Sequence, residues 1–324
     1  MKMTKDELNQ SLNTFFQDEH ELLAEIYFIL KVGTETVLRF ADIERDSQID
    51  LTSQFIGKVK SELIEDQNLN VISISDADDR TNVIYEYDLE EIPNELTVID
   101  QIIENEDIET FTFDNDRLED IRGIVILISH NGENLVLYKK HYPISLFKKD
   151  GGFNIKRWGN QQRFTQLDED IVKINISFDF IKLNNTLFIK DLKTLEKFFG
   201  FHDVIKRKAE SCLEKIIEAE ILENPEDLKT LMEDITFARK MTKVYSSSPV
   251  LGKIPTLTII SFVENYPSLV GKFQFNADKS RISLSTNISK QLFIKLLNDD
   301  FLQSELTNLY YASLAKDTLL EVIV

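Results

Sequence analysis

A chain of 324 residues with 42% hydrophobic, 29% charged and 10% aromatic side chains has the make-up of a folded protein of one to two domains, which excludes disorder along its whole length. Its 56 Asp and Glu against 37 Lys and Arg give a formal charge of −19, so the overall field repels nucleic acid and any such binding has to be local. Apolar runs such as Ile124 to Ile128 fall far short of the ~20 residues that cross a bilayer, the first residues lead into no signal-peptide core, and one cysteine, Cys212, excludes an intrachain disulfide; the chain reads as soluble and cytoplasmic.

Thr4 ahead of Asp6 and Glu7, with Leu8, Leu12, Phe15 and Phe16 following, predicts a capped amphipathic helix, because a hydroxyl before an acidic first turn satisfies free amides. Ala24 to Val32 and Thr36 to Phe40 read as two strands joined at Gly33, and Leu51 to Ile64 returns to helical spacing through Phe55, Ile56, Val59 and Leu63. Val71 to Ile74 and Val83 to Tyr87 have strand length, on either side of an acidic turn at Asp76 to Asp79. Leu96 to Ile103 is a further helix.

Ile121 to Ser129 and Leu135 to Tyr138 flank Asn131-Gly132, a dipeptide that favours the positive φ angles of a tight hairpin. A second hairpin, Ile171 to Leu183 with Leu187 to Lys190, surrounds Asn184-Asn185. From Leu192 to Lys243 the pattern is helical in several pieces, broken at Gly200 and at Asn224-Pro225. Pro255 to Val263 is another apolar segment, Phe273 to Phe275 with Ile282 to Leu284 a last short strand pair, and Asn287 the cap of a helix from Ile288 to Leu297. Together these elements predict an α+β fold of mixed, largely antiparallel sheets with packed helices, in two lobes.

Charge is laid out in blocks. Residues 1–120 carry 31 acids and 9 bases, residues 121–163 carry 2 acids and 8 bases, and residues 164–324 carry 23 acids and 20 bases. The expected domains follow that boundary: an acidic α+β lobe over 1–120 and a core over 121–324 that holds the basic middle segment.

The chain offers little recognisable chemistry. The 10 glycines are dispersed, with neither a dinucleotide fingerprint nor a Walker spacing, so no nucleotide cofactor is expected. Cys212, within a helical run, reads as packing rather than as a nucleophile. His20, His130, His141 and His202 share no metal-ligand spacing, and each reads as a surface or partly buried histidine. Asp179, with Asp191 and Lys193 beyond the next strand, resembles the acid, acid and lysine sets that hold Mg²⁺ beside a phosphate; Asp191 fits equally well as a helix cap.

The strongest local feature is Tyr138 to Arg163. Lys139, Lys140, Lys148, Lys149, Lys156, Arg157 and Arg163 are interleaved there with Tyr138, Tyr142, Phe147, Phe153 and Trp158, and only Asp150 opposes them. Paired bases at this spacing can track phosphates while aromatic planes pack against sugars or bases; the plainer reading is a solvated loop whose aromatics belong to the core. A second stretch free of acids, Ile235 to Val263, adds Arg239, Lys240 and Lys243, with Arg239 and Lys243 one helical turn apart.

The order of parts is similar to the KwaB family, the soluble component of the bacterial Kiwa anti-phage system. The likeness runs over roughly residues 100 to 320, through Leu137-Tyr138-Lys139-Lys140, Leu146-Phe147-Lys148-Lys149, Leu195 to Phe201 and Leu306 to Tyr310 with Lys316. It implies a homodimer that binds DNA without catalysis and works with a membrane protein, KwaA, which would recruit it to the inner face of the cell membrane. The leading expectation is therefore a non-catalytic effector that obstructs phage duplex DNA. The alternatives are a scaffold docking on a membrane sensor without nucleic acid, and a metal-dependent nuclease.

Overall fold

The computed structural model describes residues 3–77, 81–93, 96–104, 107–148, 155–157, 163–304 and 306–313. The chain forms two compact units: Met1–Val71, Ile84–Tyr87 and Asn94–Leu195 in the first, Ile72–Val83, Asp88–Pro93 and Glu196–Val324 in the second. The fold is α+β, as the patterning predicts.

Helix α1 (Lys5–Phe15) opens with a capping box in which Thr4 and Glu7 exchange hydrogen bonds, and it buries Leu8, Leu12 and Phe15. Strands β1 (Ala24–Val32) and β2 (Glu35–Ala41) turn at Gly33, whose φ of +62° is open to a residue without Cβ. Helix α2 (Arg45–Val59) runs on as a π-turn over Lys60–Ile64. Then come β3 (Asn70–Ser73), β4 (Val83–Glu86), α3 (Thr97–Glu104), β5 (Ile121–His130) and β6 (Glu133–Lys140). The Asn131-Gly132 turn has φ angles of +51° and +81°, the conformation these residues supply most cheaply, and it fixes the register: His130 faces Glu133, Ile126 faces Leu137, Gly123 faces Lys140.

The predicted strand from Ile171 to Leu183 is two strands. Ile171–Val172 (β10) pairs with Leu146–Phe147 (β7), while Phe180–Leu183 (β11) joins β6 on one side and Thr186–Ile189 (β12) on the other. An apolar run does not show that its two ends find different partners. Between β7 and β10 in the chain lies the ribbon of β8 (Ile155–Arg157) and β9 (Phe164–Gln166). The main sheet has the order β2-β1-β5-β6-β11-β12-β4-β3. One face packs against α1 and α2 through Phe15, Phe55, Val59, Ile126, Leu137 and Phe188. β5 is buried along nearly its whole length, which is why its sequence is a continuous apolar run rather than an alternation.

Helix α4 (Leu192–Phe198) is capped by Asp191 and separated from α5 (Phe201–Glu218) by Gly200 at φ +64°. In the second unit α5 packs with α7 (Ile235–Ser247), reached through a 3-10 turn (Pro225–Leu228) and the short α6 (Lys229–Met232). Asp234 caps α7 by accepting from the Thr236 and Phe237 amides. Next are α8 (Thr256–Asn265), the pair β13 (Gln274–Phe275) and β14 (Ile282–Ser283), α9 (Asn287–Leu297), and a hairpin of β15 (Phe301–Gln303) and β16 (Tyr310–Ala312). The cap of α9 is Thr286, one residue earlier than expected, because its hydroxyl and that of Ser289 form a reciprocal box.

Candidate anion-binding site

Where β5 begins, β6 ends, and the antiparallel register brings cations together there. Gly123 stands across from Lys140 and Ile124 across from Lys139. Gly123 is required: a Cβ at this position would come within 2.6 Å of the Tyr138 ring, which is buried and stacked on Phe180 with centroids 5.1 Å apart.

Asp179, 2% exposed, joins three strands at this end. Its backbone N–H donates to the Tyr138 carbonyl at 2.8 Å, and its carbonyl accepts from the Lys190 and Asp191 amides at 2.8 and 3.0 Å. Its carboxylate accepts from Lys139 Nζ at 2.5 Å and from the Lys140 amide at 2.7 Å. Asp191 is oriented differently: it accepts from the Lys193 and Thr194 amides and from the Thr194 hydroxyl, the pattern of a helix cap. Both carboxylates of the proposed nuclease set therefore hold protein donors. Among the described residues no three His, Cys, Asp or Glu side chains converge as metal ligands.

Arg122 lies beside this cluster, with Nη1 donating to the Glu119 and Ile121 carbonyls at 2.5 and 3.1 Å. The His141 amide donates to the Arg122 carbonyl at 3.0 Å, and the His141 ring is buried, its Nε2 without a hydrogen-bond partner among the described residues. Burial, followed by the Arg122 guanidinium, pushes the Lys140 pKa down against the pull of Asp179. Burial, then Arg122 and Lys140, pushes the His141 imidazole down as well. Glu119 ties in Lys148, whose ammonium hydrogen-bonds to its carboxylate, and lies 3.5 Å from Arg117.

The ten cations singled out from the sequence thus fall into separate groups. Lys139, Lys140 and Lys148 meet at the β5–β6 end, the first on Asp179 and the last on Glu119. Lys156 stands on the β8–β9 ribbon in an ion pair with Asp168 at 2.5 Å, and Arg163 is exposed just before β9. Lys149 and the side chain of Arg157 lie outside the described residues, as do Phe153 and Trp158. Arg239, Lys240 and Lys243 are on α7 of the second unit, where Arg239 Nε lies 3.2 Å from Glu196. Cys212 is buried in α5 with its thiol pushed up to about 12, a packing residue as expected.

Sequence reasoning passed over Arg122 and gave His141 no role. The signal was present in the hairpin register: once Asn131-Gly132 is the turn, Arg122 and His141 must be opposite each other at its open end.

Fold and site define an α+β protein whose central antiparallel hairpin ends in a half-buried group of cations. A family profile of Kiwa protein KwaB-like proteins matches residues 118–307, the part that contains that hairpin. The chain is also 32% identical over 288 residues to Kiwa protein KwaB of Escherichia coli O55:H7 (strain RM12579 / EPEC), covering 88% of this chain and 91% of that one. The chain belongs to the KwaB-like family of Kiwa proteins. No solved structure matches it.

Proposed function

We propose that this chain is a DNA-holding component of a bacterial anti-phage defence system, which obstructs phage duplex by gripping its phosphates and performs no covalent chemistry on it. Its family membership supports the setting, and one observation supports the grip: a protein of formal charge −19 gathers Arg122, Lys139, Lys140 and Lys148 at one end of its main sheet. Against an anionic background such a cluster focuses attraction on one place. In this reading two copies act together, doubling the number of phosphates held, and a membrane protein of the KwaA kind brings the dimer to the inner face of the membrane. Among the described residues no helix is long and apolar enough to cross a membrane, which fits attachment through a partner.

The test is duplex affinity against salt concentration. Lys148→Glu with Lys149→Glu, and separately Lys240→Glu with Lys243→Glu, are expected to weaken binding and to flatten the salt dependence by roughly one unit of log–log slope for each phosphate no longer neutralised. Unchanged affinity in both double variants overturns the assignment of these lysines. The ion pairs Lys148–Glu119, Lys156–Asp168 and Arg239–Glu196 favour a second reading, a scaffold whose cations serve its own fold while it docks on the membrane partner. Capture of that partner with no duplex binding at low salt selects the scaffold.

A further inference from the structure

The main sheet has a second face, turned away from α1 and α2, and strand alternation decides what stands on it. Ile26 and Phe28 of β1 enter the core, so Glu25 and Tyr27 project to the other side. The register sets Leu127 of β5 beside Glu25 and Phe40 of β2 beside Tyr27. Lys182 of β11 reaches the same face, since its partner Val136 is also the partner of Leu127, and its ion pair with Asp100 holds α3 there. Beside α3 this arrangement leaves an open groove of about 380 Å³, wholly within the first unit. The sheet contributes Glu25, Tyr27, Phe40 and Leu127 to it, and α3 with the segment that follows contributes Ile102, Ile103 and Ile108.

Glu25 is the charged side chain of that lining. Its Oε2 accepts from the Tyr27 hydroxyl at 2.7 Å, and among the described residues no Lys, Arg or His pairs with it. Burial, then the hydrogen bond to Glu25, pushes the Tyr27 phenol up, so the tyrosine stays a neutral donor. The Tyr27 and Phe40 rings meet edge to face, with centroids 5.6 Å apart and planes at 63°. A carboxylate beside two rings set at an angle is chemistry that holds an ammonium, because the carboxylate offsets its charge and the ring faces attract it. Three isoleucines and a leucine favour a ligand that carries this charge on a short hydrocarbon chain over a bare hydrated ion. The volume lies at the small end of the roughly 300–1,000 Å³ of small-molecule sites.

The surrounding charge has the matching sign. Helix α3 contains Asp100 and Glu104 and no base, and Asp107 and Glu109 flank Ile108. Arg39, next to Phe40, projects from the opposite side of β2 and pairs with Glu109 and Asp116. Across residues 1–120, 31 acids face 9 bases, a field that gathers cations at the groove.

We propose that this groove binds a small aliphatic amine in its ammonium form, with the charge at Glu25 and the hydrocarbon chain along Ile102, Ile103 and Leu127. The site is separate from the cations assigned to DNA, and it gives the acidic part of the chain a ligand of its own.

The experiment follows the isoleucine methyl signals of the full-length protein by NMR, at neutral pH and constant ionic strength, with butylammonium chloride and separately with butanol. Butylammonium is expected to shift Ile102, Ile103 and Ile108 along saturating curves and to leave Ile294, buried in the second unit, in place. Glu25→Gln, an isosteric change at an exposed position, is expected to weaken the amine about fivefold or more and to leave the response to butanol as it was. Phe40→Leu is expected to weaken the amine as well; if that variant fails to fold, Glu25→Gln decides alone. Equal affinity for amine and alcohol, or amine affinity that survives Glu25→Gln, overturns the ammonium assignment. Shifts that never saturate, or no shift at all, overturn the groove as a site. A lysine-containing peptide that moves these methyls where butylammonium does not assigns the groove to protein contact and also overturns the proposal.

Discussion

The ammonium of Lys139 lies 2.5 Å from the carboxylate of Asp179, a pair in which the lysine side chain keeps 24% of its exposure and the aspartate 4%. Because the same carboxylate also accepts the Lys140 amide, it fastens the end of β6 to the start of β11. Removing it leaves a half-buried ammonium and an amide without their acceptor. Asp179→Ala is expected to destabilise the protein by about 2–3 kcal/mol, below the ~3–5 kcal/mol of a fully buried pair because water still reaches Lys139. Urea unfolding checks this: the midpoint falls and the slope stays unchanged.

Gly123 gives a second prediction. Gly123→Ala puts a methyl group 2.6 Å from a Tyr138 ring atom, and the stacked Phe180 limits where that ring can go. A loss of about 1–3 kcal/mol is expected from overpacking. Adding Tyr138→Leu should recover part of it, so a double-mutant cycle will show non-additivity if the clash is the cause.

Glu119 links stability to pH and to the proposed DNA surface. The Lys148 hydrogen bond holds its carboxyl down at about 2, below the ordinary 4.5. A carboxylate depressed in the folded state adds stability that is fully present above its unfolded pKa and lost as pH falls through the folded value. The window is therefore pH 4.5 down to about 2, and Glu119→Gln should flatten acid unfolding within it. The same substitution releases Lys148 from this pair. At neutral pH, duplex affinity is then expected to rise about twofold to fivefold, the scale of an exposed ion pair, with a salt slope steeper by about 0.9. Weaker binding in this variant would remove Lys148 from the DNA surface.

Asp191 separates the capping role from the nuclease reading. Asp191→Ala is expected to cost about 1 kcal/mol through loss of the α4 cap. Added Mg²⁺ should raise the melting temperature of neither the parent nor the variant. A Mg²⁺-dependent rise in the parent, absent from Asp191→Ala, would reinstate a metal site there.

What local chemistry dictates was legible in advance. Thr4 with Glu7 announces the first helix, Asn131-Gly132 the central hairpin, and Asn184, at φ +51°, the next one. Such signals act over a few residues, within reach of one turn or one cap. The break of the Ile171–Leu183 run was not legible, because its cause is the pairing of Ile171 with Phe147.

Sequence by itself determined the fold class, the hairpin register and the presence of a basic middle segment in an acidic chain, since periodicity, turn residues and charge are properties of neighbours. Only the tertiary structure decided which of those cations are neutralised. Lys139 meets a carboxylate 40 positions away, and Lys148 and Arg239 meet Glu119 and Glu196 on other elements. An ion pair depends on distance in space, and strand order sets that distance, so no count of charges along the chain could assign Asp179 to Lys139.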